Sequence, residues 1–254
     1  MLVDYHTHPA CHGEVQVNEH LLVRMVETAK ALGIKELGLS DHDRLFYSWD
    51  KECLEAVRRE FPEVKLRLGV EVSYGPSSRL ELIRRFLQEP EMDYIICSVH
   101  SIDGWSFDEV DQLEGYDRWE PDELYRAYYS NLERGVRHGF GDIVGHLDVI
   151  KLFDYRPKSD PVKLAMPVLS AIRERGLTVE INANGLNKPV REIYPEQAII
   201  EQCFAMDIPI TLSSDGHSPE DIGRHLNVAK EAAWKAGYRR IATFEKRRRL
   251  MVQL

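Results

Sequence analysis

Histidines and acids recur in short clusters along the whole chain: Asp4-Tyr5-His6-Thr7-His8, Asp41-His42-Asp43, Ser98-Val99-His100, Gly145-His146-Leu147-Asp148 and Asp215-Gly216-His217. Imidazole nitrogens and carboxylate oxygens are the donors that hold divalent transition metals. Side chains on a strand return to the same face every second residue, so His6 and His8 point one way and can serve one ion. Asp215 and His217 repeat that spacing after another apolar run. Asp4, on the face of His6, is placed to accept a ring N–H and fix that histidine's orientation. Glu71 ends the run Leu68-Gly69-Val70-Glu71, where a buried carboxylate without a partner is costly. A bridging metal ligand resolves that cost, and the competing assignment is a salt bridge to Arg67. A single histidine past a strand is ordinarily structural; recurrence after five strands is what points to a metal cluster. His12 lies in the turn-like Pro9-Ala10-Cys11-His12-Gly13 and is a further ligand candidate, with Cys11 a bystander. His20, His138 and His225 fall in helical segments and are read as structural.

Such clusters work together only if the fold gathers them. Apolar, β-type runs recur at 2–6, 36–40, 65–72, 94–99, 143–146, 177–181 and 208–213, and seven segments of helical character lie after them, at 19–32, 50–61, 79–88, 122–138, 162–175, 196–206 and 219–236. Asn18 caps the first helix and Gly33 ends it, Gly176 ends the fifth, and Ser218-Pro219 starts the last. The alternation implies right-handed βαβ units and a parallel sheet, hence an α/β fold. A parallel α/β barrel brings the C-terminal ends of its strands around one mouth, where residues far apart in sequence meet.

The chain has 254 residues, 43% of them apolar and 30% charged, enough for one substantial core, and residues 1–254 are read as a single domain. A net charge of −9 argues against a broad nucleic-acid or anionic-membrane surface. Cys11, Cys53, Cys97 and Cys203 lie far apart without a paired CxxC spacing, which suits a reduced cytoplasm. No basic-then-apolar leader and no run of ~18 apolar residues suggests export or membrane insertion. The basic run Lys246-Arg247-Arg248-Arg249 is expected to be a solvated, frayed terminus. The stretch 101–120 has no clear period and carries Trp105, Phe107, Tyr116 and Trp119; it is either a lid or a segment packed on the rim.

The motifs Asp-Tyr-His-Thr-His, Ser-Asp-His-Asp, Gly-Val-Glu, Ser-Val-His, Gly-His-Leu-Asp and Ser-Asp-Gly-His, in this order, resemble those of the polymerase and histidinol phosphatase (PHP) family. The resemblance covers residues 1 to about 225. Gly145 through Lys151, Asn182-Ala183-Asn184-Gly185-Leu186 with Glu192-Ile193-Tyr194-Pro195, and Ser214 through Glu220 look like its histidinol-phosphatase branch. The resemblance implies a distorted (β/α)7 TIM-like barrel with three divalent metal ions, zinc, iron or manganese. It assigns His6, His8, Glu71 and Asp215 to the first ion, Glu71, His100 and His146 to the second, and His12, His42 and His217 to the third. The turn from His8 to His12 is shorter than in relatives.

Three divalent ions outweigh two carboxylates, so the centre attracts a phosphate dianion in spite of the acidic exterior. The expected reaction is in-line displacement at phosphorus by activated water, without a phosphoenzyme. Glu71 and Asp215 then act catalytically, by bridging the metals and positioning that water. The expected substrate is a small phosphate monoester, L-histidinol phosphate by resemblance. Lys151, Lys188 and Arg191 are candidate substrate contacts, and Asp41, Asp43 or water is the proton donor. The rival readings are a phosphodiesterase or 3′-end nuclease of the same family, disfavoured by the absence of a basic and aromatic track, and a metal-binding scaffold without turnover.

Overall fold

A computed structural model describes residues 1–48, 50–75 and 80–254. Its principal strands are β1 (Leu2–Asp4), β2 (Ile34–Leu39), β3 (Lys65–Ser73), β4 (Tyr94–Ser98), β5 (Ile143–Val144), β6 (Thr178–Asn182) and β7 (Ile210–Ser213). They pair in parallel in chain order. The ring is drawn together between its first and last strands, where Tyr5 N–H donates to Leu212 O at 3.1 Å and His8 N–H to Gly216 O at 2.8 Å. Around it run α1 (Glu19–Ala31), α2 (Lys51–Glu60), α3 (Leu80–Gln88), α4 (Pro121–His138), α5 (Pro161–Arg175), α6 (Gln197–Ala205) and α7 (Leu226–Ala236). The distorted (β/α)7 barrel expected from the sequence is the fold observed.

Local chemistry explains most of the boundaries. Asn18 accepts from Leu21 N–H at 3.0 Å and Asp160 from Val162 N–H at 2.9 Å, satisfying donors that a helix start leaves open. The last helix departs from expectation. Pro219–Asp221 forms only one 3₁₀ turn, because Gly223 and His225 then take φ of +72° and +59° and break the helical path before Leu226. Arg79, the expected start of the third helix, lies outside the described residues.

Strands buried on both faces read as near-continuous apolar runs, and β3 is buried from Leu66 to Val72. One stripe of α1, Leu22, Met25, Val26 and Ala29, is buried at helical spacing, each large side chain contributing roughly 1.5–3 kcal/mol. Inside the ring, Tyr94 packs edge-on to Tyr5 with centroids 5.0 Å apart. Gly38 on β2 and Gly69 on β3 make room for its ring, since a Cβ at either would collide with it.

The basic C-terminal run is ordered, contrary to the frayed end expected. Strands β8 (Arg240–Glu245) and β9 (Arg248–Gln253) form an antiparallel hairpin, turned by Lys246 and Arg247 at φ +48° and +62°. It covers the barrel end opposite the mouth. Phe244 N–H donates to Tyr5 Oη at 2.7 Å, and Tyr5 donates to Glu36 at 2.7 Å. Arg247 forks onto Asp142 at 2.7 and 2.9 Å, a bidentate geometry that favours arginine. Arg67 is used here too, donating to Glu36 at 2.9 Å, so it does not neutralise Glu71.

Of the two roles weighed for the 101–120 stretch, the structure favours rim packing. Phe107 is buried with its ring edge-on to Tyr128 at 5.5 Å, and Tyr116 Oη donates to Phe107 O at 3.0 Å. Among the described residues no helix is long and apolar enough to cross a membrane.

Candidate active site

The strands end in the residues that matter. His6 and His8 follow β1, His42 follows β2, Glu71 lies on β3, His100 follows β4, His146 follows β5, Glu180 lies on β6, and Asp215 and His217 follow β7. Their side chains meet at the mouth. Glu71 is the hub: one oxygen lies 3.0 Å from His146 Nε2, 3.3 Å from His100 Nε2 and 3.6 Å from His6 Nε2. Its other oxygen lies 2.8 Å from His42 Nδ1 and 3.8 Å from His8 Nε2. Asp215 faces His8 Nε2 at 3.3 Å and His6 Nε2 at 3.9 Å. It is held at φ +52°, a conformation costing a non-glycine residue roughly 1 kcal/mol, and its carbonyl accepts from His217 Nδ1 at 3.0 Å. His12 sits at the edge, its Nδ1 3.1 Å from His42 Nε2.

Several rings are fixed from behind. His6 Nδ1 contacts Glu180 at 3.0 and 3.2 Å and His100 Nδ1 contacts Ser73 Oγ at 3.1 Å, so each turns Nε2 toward the mouth. The partner expected for His6 was Asp4, and the structure corrects this. Asp4 accepts from Ser214 N–H and Oγ–H and from Gly223 N–H, stitching β1 to the segment after β7. Glu180 was missed. It also accepts from Asn182 Nδ2 at 2.8 Å and His146 N–H at 3.0 Å, and it bonds Ser213.

The three candidate substrate contacts separate. Lys188 lines a cavity of about 240 Å³ together with every imidazole of the cluster except the fully buried His6, and with Glu71, Asp215, Asp108, Glu109, Asn184 and Tyr194. Lys151 is fully buried, its ammonium bound to Asp148 (2.8 Å), Glu192 (3.0 Å) and Ile193 O (2.9 Å). It is spent on holding the 192–194 segment and is not presented to the cavity. Arg191 lies outside that lining and donates to Leu186 O at 3.2 Å. Asp41, considered as a proton donor, accepts from Ala10 N–H at 3.0 Å and braces the turn; burial pushes its carboxyl up to about 7.

The PHP domain family matches residues 4–184, a span that runs from the end of β1 through β6. The chain belongs to the PHP family. Among curated PHP relatives, a probable histidinol-phosphatase of Deinococcus radiodurans is 34% identical over 77% of this chain and 74% of its own length. The histidinol-phosphatase of Bacillus subtilis is 28% identical over 67% and 70%. In fold, the chain is similar to a histidinol phosphate phosphatase of Lactococcus lactis solved with zinc, L-histidinol and phosphate. That likeness has a TM-score of 0.78 and 22% identity and covers 98% of both chains.

The donors of this PHP mouth fit divalent ions. Donors sharing an ion with bonds of ~2.0–2.2 Å stand roughly 3.3–3.6 Å apart, close to the separations around Glu71. His6 Nε2, which faces Glu71 and Asp215, is buried without a hydrogen-bond partner, which proton-mediated contacts alone leave costly. Among the described residues four overlapping donor groups form: His6, His8 and Glu71; His6, His146 and Asp215; Glu71, His100 and His146; His8, His42 and His217. His12 belongs to none of them.

Burial alone would push His6 down, yet Glu180, Asp215 and Glu71 outweigh it and hold its pKa well above the imidazole range. Burial likewise opposes His100, which Glu71 raises to about 9. With no ion bound, both rings therefore carry protons at pH 7, whereas ligation needs them neutral. Adding zinc to metal-free protein at pH 7 is expected to release protons, and the release should shrink as pH climbs past the raised values. Calorimetry in two buffers of different ionisation enthalpy reads this directly; identical heats would remove the argument.

Proposed function

We propose that this chain is a metal-dependent phosphomonoesterase that hydrolyses L-histidinol phosphate to L-histidinol and phosphate. The observation that carries the reading is the convergence, on one small cavity, of the buried Glu71, the partly exposed Asp215 and a shell of imidazoles, with Lys188 on the wall. The histidinol-phosphatase names of the relatives and the ligands of the Lactococcus structure support the choice of substrate. The reading takes three ions of zinc, iron or manganese, held by His6, His8, Glu71 and Asp215, by Glu71, His100 and His146, and by His42 and His217 with His12 at the rim. Mixed imidazole and carboxylate donors suit all three metals. It treats residues 1–254 as one catalytic unit, in keeping with the hairpin beyond the family match that closes the barrel floor.

Divalent ions bound here supply Lewis acidity, drawing charge from phosphoryl oxygens and strengthening water as an acid. The chain's own residues supply the frame. Glu71 and Asp215 keep six imidazoles in register, Glu180 fixes His6, and Lys188 offers a cation to the phosphate. Burial favours the neutral form of Glu71 and Asp215, but the surrounding histidines, His100 and His6 foremost for Glu71 and His6 for Asp215, hold both well below the usual carboxylate range. They stay anionic at any working pH.

Metal-replete protein should turn over histidinol phosphate with kcat/KM at least about tenfold above a generic alkyl phosphate, a margin of ~1.4 kcal/mol in transition-state binding. Equal values would defeat the substrate assignment. Cleavage of a dinucleotide with monoesters left intact would indicate a phosphodiesterase, and bound metal with no hydrolysis at all a scaffold.

A further inference from the structure

Tyr194 belongs to none of the donor groups, yet its surroundings call for a ligand. It is 1% exposed, its hydroxyl has no hydrogen-bond partner among the described residues, and its side chain lines the cavity beside Lys188 and Asp215. A buried tyrosine hydroxyl ordinarily finds a partner, and leaving one unmade costs on the order of 1–3 kcal/mol. Tyr94 and Tyr129 also carry unpartnered hydroxyls, but neither lines the cavity.

The phenol is held rigidly. The backbone of Tyr194 exchanges two hydrogen bonds with Asn182 on β6, at 2.7 and 2.9 Å. The ring lies where a side chain at position 185 would stand, so Gly185 is what admits it. Lys151 anchors the preceding carbonyl and sits 5.5 Å from the ring centroid. Little ordering remains to be done when a ligand arrives. Burial first, then Asp148 and Asp215, push its ionisation far above the phenol range, so the group is a neutral O–H donor.

We infer that Tyr194 donates its hydroxyl hydrogen to a non-bridging phosphoryl oxygen of the bound monoester. This rests on the phosphomonoesterase reading and deepens it by naming a substrate contact. An O–H donor matches an anionic acceptor. The amine and imidazole N–H groups of the leaving alcohol call instead for acceptors, and Asp108 and Glu109 provide these on the same cavity, with no cation bonded to either among the described residues.

Tyr194→Phe removes the oxygen and keeps the ring. Calorimetry on metal-loaded protein should show inorganic phosphate binding about tenfold more weakly, with L-histidinol affinity and metal content unchanged. Weakened L-histidinol with phosphate intact would move the contact to the leaving group and overturn the inference, as would no change in either. A fall in bound metal would overturn it as well, by giving Tyr194 a purely structural role. If wild-type protein hydrolyses no monoester while the variant still loses phosphate affinity, the proposed function fails and the contact stands. If hydrolysis is present and phosphate affinity does not move, only the contact fails.

Discussion

The Glu71→Gln protein is expected to lose roughly 10³-fold in kcat/KM, the scale on which one preorganised electrostatic contact acts, together with most of its bound metal. The substitution is nearly isosteric, so packing is kept while the charge is removed. Five imidazoles contact this one carboxylate within 3.8 Å, and an amide presents only one acceptor oxygen to them. The ions nearest His42, His100 and His146 should go together. Elemental analysis alongside kinetics tests the point: full metal content in the variant would show that Glu71 does not bridge.

Glu180→Gln is the second large effect, and it acts through another residue. Glu180 holds His6 from behind and also accepts from His146 N–H, so its loss frees the ring that must present Nε2. Partners of ligating histidines are typically worth 10–100-fold in metal affinity or activity. The expected signature is reduced kcat that excess zinc partly restores, with little change in KM. A loss that no metal concentration recovers, or unaltered zinc affinity, would contradict a positioning role for Glu180.

The two carboxylates also show what a sequence discloses. Glu71 was legible because it ends an apolar run, where solvent cannot reach and only a cation makes sense of a charge. Glu180 obeys the same rule within Thr178-Val179-Glu180-Ile181, but a single acid alternating with branched residues reads equally as the wetted face of a strand. In a closed ring that alternate face is the lumen, and closure is a tertiary fact. The histidines were legible through their recurrence after successive strands, which periodicity places at one barrel end. Lys151 and Arg247 misled for a common reason: basic residues are usually solvated, and here acids claim both, whereas Lys246, Arg248 and Arg249 are exposed as expected and only their order was not foreseen. Asp148 and Glu192 hold Lys151, and Asp142 holds Arg247. Those partners are remote in sequence or invisible as partners until the chain folds.

The C-terminal hairpin has a consequence for traffic. With Phe244 seated beneath Tyr5 and Tyr94, the barrel is a cul-de-sac, and both products must back out through the opening that admitted the ester. For the proposed reaction, entry and exit are therefore serial, and added phosphate is expected to slow the next arrival.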